Sequence, residues 1–191
     1  MDQTRRTRRA DAERNREAIL DAATRRLARD PGASMSEIAA EAGVGRVTMY
    51  GHFSSRAELV DAVFARTMDR AEETLARLDL SGDPSTALER LVAESWHIVG
   101  ESRLLLQAVE DELGPDAVRR RHEEPLGRVG GLINRGRQEG AFRRDLPEAW
   151  MVACFYAVLH TAAEEVRCGR LPAEEADGVV WSTIASLLRP R

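Results

Sequence analysis

The chain has 191 residues, 43% of them hydrophobic and 31% charged, with a formal net charge of −4 at pH 7; that is enough to bury a substantial core in one or two domains. It holds no apolar run of the roughly 18 residues a membrane span requires, and the basic amino terminus MDQTRRTRRADAERNR leads into no apolar stretch, so neither a span nor a signal peptide is expected. The acidic sum argues against a nucleic-acid partner, but its distribution reverses that reading. Residues 1–56 carry 11 Arg against 8 acidic residues, whereas residues 57–191 carry 17 Arg against 24.

In chain order, the first dozen residues contain Arg5, Arg6, Arg8 and Arg9 and nothing to bury. They read as a flexible basic arm over 1–12, serving either as a solubilising tail or as a contact to phosphate or the minor groove. A first helix is predicted from about Glu13 to Arg29, with Leu20, Ala23 and Leu27 inward, ended by Asp30, Pro31 and Gly32. The stretch SMSEIAAEAGVGRVTMYGHFSSR, Ser34 to Arg56, then reads as a helix, a tight turn and a second helix. Met35, Ile38, Ala39 and Ala42 fall at i, i+3, i+4 and i+7, and Ser34 with Glu37 has capping-box spacing. Gly43 stops this helix. The next begins near Gly45 or Arg46, anchored by Val44, Met49 and Phe53 and presenting Arg46, Thr48 and His52 outward.

A long helix follows from Arg56, capped by Ser54 or Ser55, with Val60, Val63, Phe64, Thr67, Met68, Ala71, Leu75 and Leu78 in one 3.6-period stripe. After Ser81, Gly82 and Asp83, a helix from Pro84 to about Gly100 and a second from Glu101 to Leu113 are predicted. The segment 115–140, with four glycines, is expected to break near Pro125. From Pro147 to Arg167 runs a helix that is apolar almost all round, which predicts burial both by its own domain and by a second body. Its row Ala149, Ala153 and Ala157 permits close backbone approach, so a homodimer through this helix and the last one, Pro172 to Leu188, is expected. No strand is predicted. The expected fold is all-α, about nine or ten helices: a helix-turn-helix domain over 13–55 and a larger helical domain over 56–191.

Catalytic chemistry has nothing to stand on. His52, His97, His122 and His160 are scattered, the motifs HExxH, GxSxG and GxGxxG and a P-loop are all missing, and Glu123-Glu124 and Glu164-Glu165 are adjacent pairs pointing to different sides of a helix. No enzyme activity, metal or cofactor is expected. Cys154 and Cys168 lie on one predicted helix about 21 Å apart along its axis, too far to bridge; they read as reduced thiols of a cytoplasmic protein.

The stretch IAAEAGVGRVTMYGHFSSRAEL resembles the signature of TetR-type bacterial transcriptional regulators, with Ile38, Ala39, Ala42, Gly43, Val44, Thr48, Tyr50, Phe53, Arg56 and Leu59 all in register. The motif covers roughly the first third of the chain; beyond it the likeness is only to a general plan. The resemblance implies a regulator that binds double-stranded operator DNA as a homodimer, most simply a repressor on a palindromic operator, released by a small, largely apolar effector. It implies phosphate contacts from Ser34, Tyr50, His52 and Arg56 and base contacts from Arg46, Val47 and Thr48 on a helix opened by Gly45. Gly45 and Val47 depart from the usual pattern, and Gly51 adds a flexible point. Candidate lining for the effector is Phe64, Met68, Trp96, His97, Val99, Leu105, Val109, Phe155 and Leu159, each of which reads more readily as ordinary core than as a ligand contact. The alternatives are a helical adaptor or a DNA-binding protein with no small-molecule effector.

Overall fold

The computed structural model describes residues 2–190, with the side chains of 2–5, 7, 8, 101 and 115 outside the description. These residues form nine α-helices and no strand: α1 Asp2–Leu27, α2 Met35–Glu41, α3 Arg46–His52, α4 Arg56–Ala76, α5 Pro84–Leu113, α6 Pro115–Arg121, α7 Glu123–Gln138, α8 Glu148–Arg167 and α9 Ala173–Leu188. They sort into two compact units, one of residues 1–67 and 104–120 and one of residues 68–103 and 121–191. The division between the units therefore falls inside α4, inside α5 and before the last residue of α6.

In the first unit, α1 packs on α2 and α2 on α3. Two seven-residue helices are too short to be stable alone, and the core they share explains why they hold: Ile19, Leu20, Ala23 and Leu27 of α1, Ile38 of α2, Met49 of α3, Phe53, and Leu59, Val60 and Val63 of α4 are all buried. Ion pairs pin the helices at their rims. Arg26 meets Glu37 at 2.8 Å and Arg25 meets Glu41 at 3.2 Å, while Arg66 of α4 reaches back to Glu17 and Asp21 of α1 and to the hydroxyl of Thr24. The Leu105, Leu106, Val109 and Val118 side chains of the 104–120 segment are buried as well.

The first helix starts at Asp2 rather than near Glu13, so residues 2–12 of the segment expected as an arm belong to α1, and Met1 lies outside the described residues. It contains no proline or glycine and is rich in Arg and Ala, strong helix formers, and Asp11 pairs with Arg14 one turn on. Arg6 and Arg9 are exposed there, while the side chains of Arg5 and Arg8 lie outside the described residues.

The second unit is built on one core, with Leu88, Leu91 and Val92 of α5, Val129, Leu132 and Ile133 of α7, Met151, Phe155 and Leu159 of α8, and Val180, Ile184 and Leu188 of α9. Here α8 packs against both α7 and α9. Two predicted boundaries are corrected. The helix expected to stop at Gly100 runs unbroken to Leu113, thirty residues in all: a mid-helix glycine costs only about 1 kcal/mol, and buried leucines on both sides of it outweigh that. The break expected at Pro125 falls at His122, so that Pro125 sits in the first turn of α7, where the N–H groups have no helical partner to lose.

Candidate functional site

The helix-turn-helix is assembled from local signals that all agree. Ser34 caps α2 in a reciprocal box: its hydroxyl accepts from the Glu37 N–H, and the Glu37 carboxylate accepts from the Ser34 N–H at 2.9 Å. The Ser34 backbone and hydroxyl, with Arg26, hold the Glu37 carboxyl below its ordinary value. Gly43 ends the helix at φ 68°, a left-handed conformation that glycine adopts without strain. Gly45, extended at φ −74° and ψ 157°, opens α3 with no side-chain cap. At the far end Ser55 supplies its hydroxyl to the Glu58 N–H at 3.1 Å, starting α4.

What α3 turns outward follows from one anchor. Met49 is 1% exposed and fixes the helix against the core; at about 100° per residue, Val47 then stands on the opposite side. Val47 is 88% exposed and Tyr50 44%. The Arg46 guanidinium lies 5.6 Å from the centre of the Tyr50 ring, a cation–π pair one turn apart. Thr48 and His52 are half-buried at the flanks, and Gly45 and Gly51 are exposed. Tyr50 is therefore not a core residue.

Two residues expected to reach phosphate are otherwise engaged. The Ser34 hydroxyl donates to Glu37 Oε2 at 2.8 Å, which uses its only proton. The Arg56 side chain turns inward, donating from Nε to the Ala33 carbonyl at 3.1 Å and from its terminal nitrogens to the Pro31 carbonyl and the Glu112 carboxylate. Arg56 is a tie between the loop before α2, the start of α4 and the end of α5. Partners so distant in sequence left no local sign.

The candidate effector lining is divided between the two units. Phe64, Leu105 and Val109 are buried in the first unit, whereas Met68, half-buried, belongs to the second. Within the second unit, Phe155 and Leu159 are in the core and Trp96 and Val99 pack against it; His97, next to Trp96 on α5, is exposed. The histidines, by contrast, are not all scattered. His122, Tyr156 and His160 form a ring cluster, with centroids 5.1 Å apart for His122–Tyr156, 5.7 Å for His122–His160 and 4.1 Å for Tyr156–His160. Burial, then His122 and Arg103, push the His160 imidazole down to about 4. Arg103 itself pairs with Glu164 at 2.9 Å, one turn beyond His160. The i, i+4 spacing of Tyr156 and His160 was a visible sign of this cluster.

A capped helix, a glycine turn and a second helix with one locked face and one polar-aromatic free face, attached to an all-helical body, define a helix-turn-helix DNA-binding regulator. Residues 19–63 match the family model described as bacterial regulatory proteins, tetR family. The chain is 28% identical over 176 residues to the transcriptional repressor LfrR of Mycolicibacterium smegmatis, covering 92% of each, and 26% identical over 144 residues to the transcriptional regulator NfxB of Pseudomonas aeruginosa, covering 73% of this chain and 76% of NfxB. The crystal structure of LfrR with proflavine, at 27% identity, superposes with a TM-score of 0.72 over 92% of this chain and 97% of LfrR. A TetR-family regulator from Agrobacterium tumefaciens, at 18% identity, shares the fold with a TM-score of 0.76 over 93% of this chain and 99% of its own. Residues 19–63 thus carry the TetR-family signature, and over most of its length the chain is similar to proteins that are transcriptional regulators rather than enzymes.

Proposed function

We propose that the protein is a ligand-responsive repressor that grips a palindromic operator as a homodimer and lets go when a small, largely apolar effector binds the second unit. The observation that carries the DNA half of this reading is the outward face of α3, where Arg46, Val47 and Tyr50 are exposed while Met49 is locked inside. Arg46, Val47 and Thr48 meet base edges, and Tyr50 and His52 meet phosphate; Ser34 and Arg56 hold the frame. The repressor sense and a small-molecule effector follow LfrR, which is a repressor and whose crystal structure holds proflavine. The cytoplasm, where the chromosome lies, is the place of action.

The dimer reading is supported by α8 and α9. Ala149, Trp150, Ala153, Ala157 and Thr161 of α8 are exposed on the side away from its buried row, and Val179 of α9 is 43% exposed beside Gly178, Ser182 and Thr183. Coupling is supported by α4, a single helix that begins at the DNA-reading end and carries Met68 in the second unit. An effector that moves Met68 changes the spacing of two recognition helices that must enter successive major grooves, roughly 34 Å apart. The test is a mobility-shift titration with palindromic DNA enriched by the protein from a random pool. A dimer-sized retarded complex on that fragment, absent on scrambled DNA at the same salt, is the expected result; equal binding to both sinks the operator reading. Once an effector is found, linkage requires operator DNA to weaken its binding by the same factor by which it weakens operator binding, typically several-fold to a hundredfold.

A further inference from the structure

Most of the outward face of α3 has an evident use for polar contact, with one exception. Val47 is the most exposed of the large hydrophobic residues among those described, at 88%. It does nothing for the fold, because Met49 and Phe53 already anchor this end of the motif at 1% exposure each. Its side chain has no hydrogen-bonding atom, so that side chain cannot bind phosphate or a polar base edge. Resting on the assignment of α3 as the recognition helix, we propose that Val47 reads the C5-methyl group of one thymine in each half-site of the operator, and so fixes the base preference at that position.

The surroundings of Val47 favour this role over mere exposure. In the major groove the thymine methyl is the apolar feature among the base edges, and in the minor groove no such group exists. A β-branched side chain in a helix is held in one dominant rotamer, so the two methyls of Val47 are placed in advance and little side-chain freedom is lost on contact. The neighbours leave the approach open. The residue one turn on, where a side chain would shield Val47, is Gly51, and a Cβ built there would meet nothing within 4 Å. Arg46 is drawn back over the Tyr50 ring instead of lying across Val47. An apolar knob with a bare rim on a DNA-reading helix fits a methyl group that stands out from a base pair.

The test uses full-length protein and a palindromic fragment it enriches from random double-stranded DNA. Each thymine of one half-site and its symmetry mate is replaced by deoxyuridine, which removes the methyl and nothing else, and affinities are measured for wild type, Val47→Ala and Val47→Ile. Because Val47 is exposed, all three should melt at the same temperature. The expected result is one thymine position whose methyl is worth about fourfold per half-site to wild type, the transfer value of one methyl group, with the penalty kept in Val47→Ile and abolished in Val47→Ala. If no thymine shows a methyl-dependent loss, or if Val47→Ala suffers the same loss as wild type, the role of Val47 is wrong while the recognition helix stands. If the pool yields no enriched sequence, the reading of α3 itself is overturned.

Discussion

Arg46 and Arg56 stand ten positions apart with opposite employment. Arg46 is exposed and lies over a ring of its own helix, while Arg56 donates to two loop carbonyls and the Glu112 carboxylate. Removing hydrogen bonds of this kind to partly buried acceptors costs about 1 to 3 kcal/mol, so Arg56→Ala should lower the urea unfolding free energy by that much, and Arg46→Ala should stay within about 0.5 kcal/mol. Arg46→Ala should instead relax base preference at one position per half-site, by about 1 to 3 kcal/mol. A melt that Arg56→Ala leaves unmoved would show that its three partners contribute nothing. The capping box of Ser34 and Glu37 was legible because both partners lie within one turn; the partners of Arg56 were not, since they come from two other parts of the chain. His160 gives a pH signature. Facing Tyr156, His122 and Arg103, its folded value is about 4 against an ordinary 6.5, so below pH 6.5 the unfolded chain takes the proton first and stability falls with pH. Between pH 7 and pH 5 that amounts to about 2 kcal/mol. The loss should be read as the difference between wild type and His160→Asn, because the carboxyl groups held low, such as Glu164 and Glu37, lose their share only at lower pH. Parallel curves for the two proteins would remove His160 as the cause.

At the scale of single helices, glycine and proline misled where packing overrode them. Gly100 lies within α5 and a Cβ there would meet nothing within 4 Å, so Gly100→Ala should raise stability by about 0.5 to 1 kcal/mol. Gly136 lies in α7, where the same substitution drives a Cβ into the Phe142 ring, itself buried in the second core; Gly136→Ala should destabilise by about 1 to 3 kcal/mol. Thermal melts of the pair should therefore move in opposite directions, and a shared direction would mean that propensity or packing alone governs both sites. The periodicity of α4, α8 and α9 was plain in the sequence because each has a continuous apolar stripe. The union of two predicted helices into α5 was hidden because what holds the helix across Gly100 is burial on either side, at Leu91 and Val92 and at Leu105 and Leu106, which neither propensity nor spacing reports. The start of α1 was misjudged for the converse reason. A run with nothing to bury gives no periodic signal, although its composition favours a helix without any core.

For the whole molecule, DNA affinity should depend on a surface that never touches DNA. Two recognition helices on one dimer turn the second half-site contact into an intramolecular event, and such linkage raises affinity by roughly 10² to 10⁴ over a single contact. If α8 and α9 form the dimer, Ala153, exposed on α8 in line with Ala149 and Ala157, lies where an arginine would both clash and bury an unpaired charge. Ala153→Arg should then run as a monomer of about 21.2 kDa in light scattering at micromolar concentration. Its melt should change little, since the position is exposed within one chain, and its affinity for an isolated half-site should equal that of wild type. Its affinity for the full palindrome should fall to the half-site value, losing the whole advantage of linkage. A variant that stays dimeric would move the interface elsewhere. One that becomes monomeric yet keeps full palindrome affinity would break the link between dimer and operator, because a single helix-turn-helix has no means of gripping both half-sites at once.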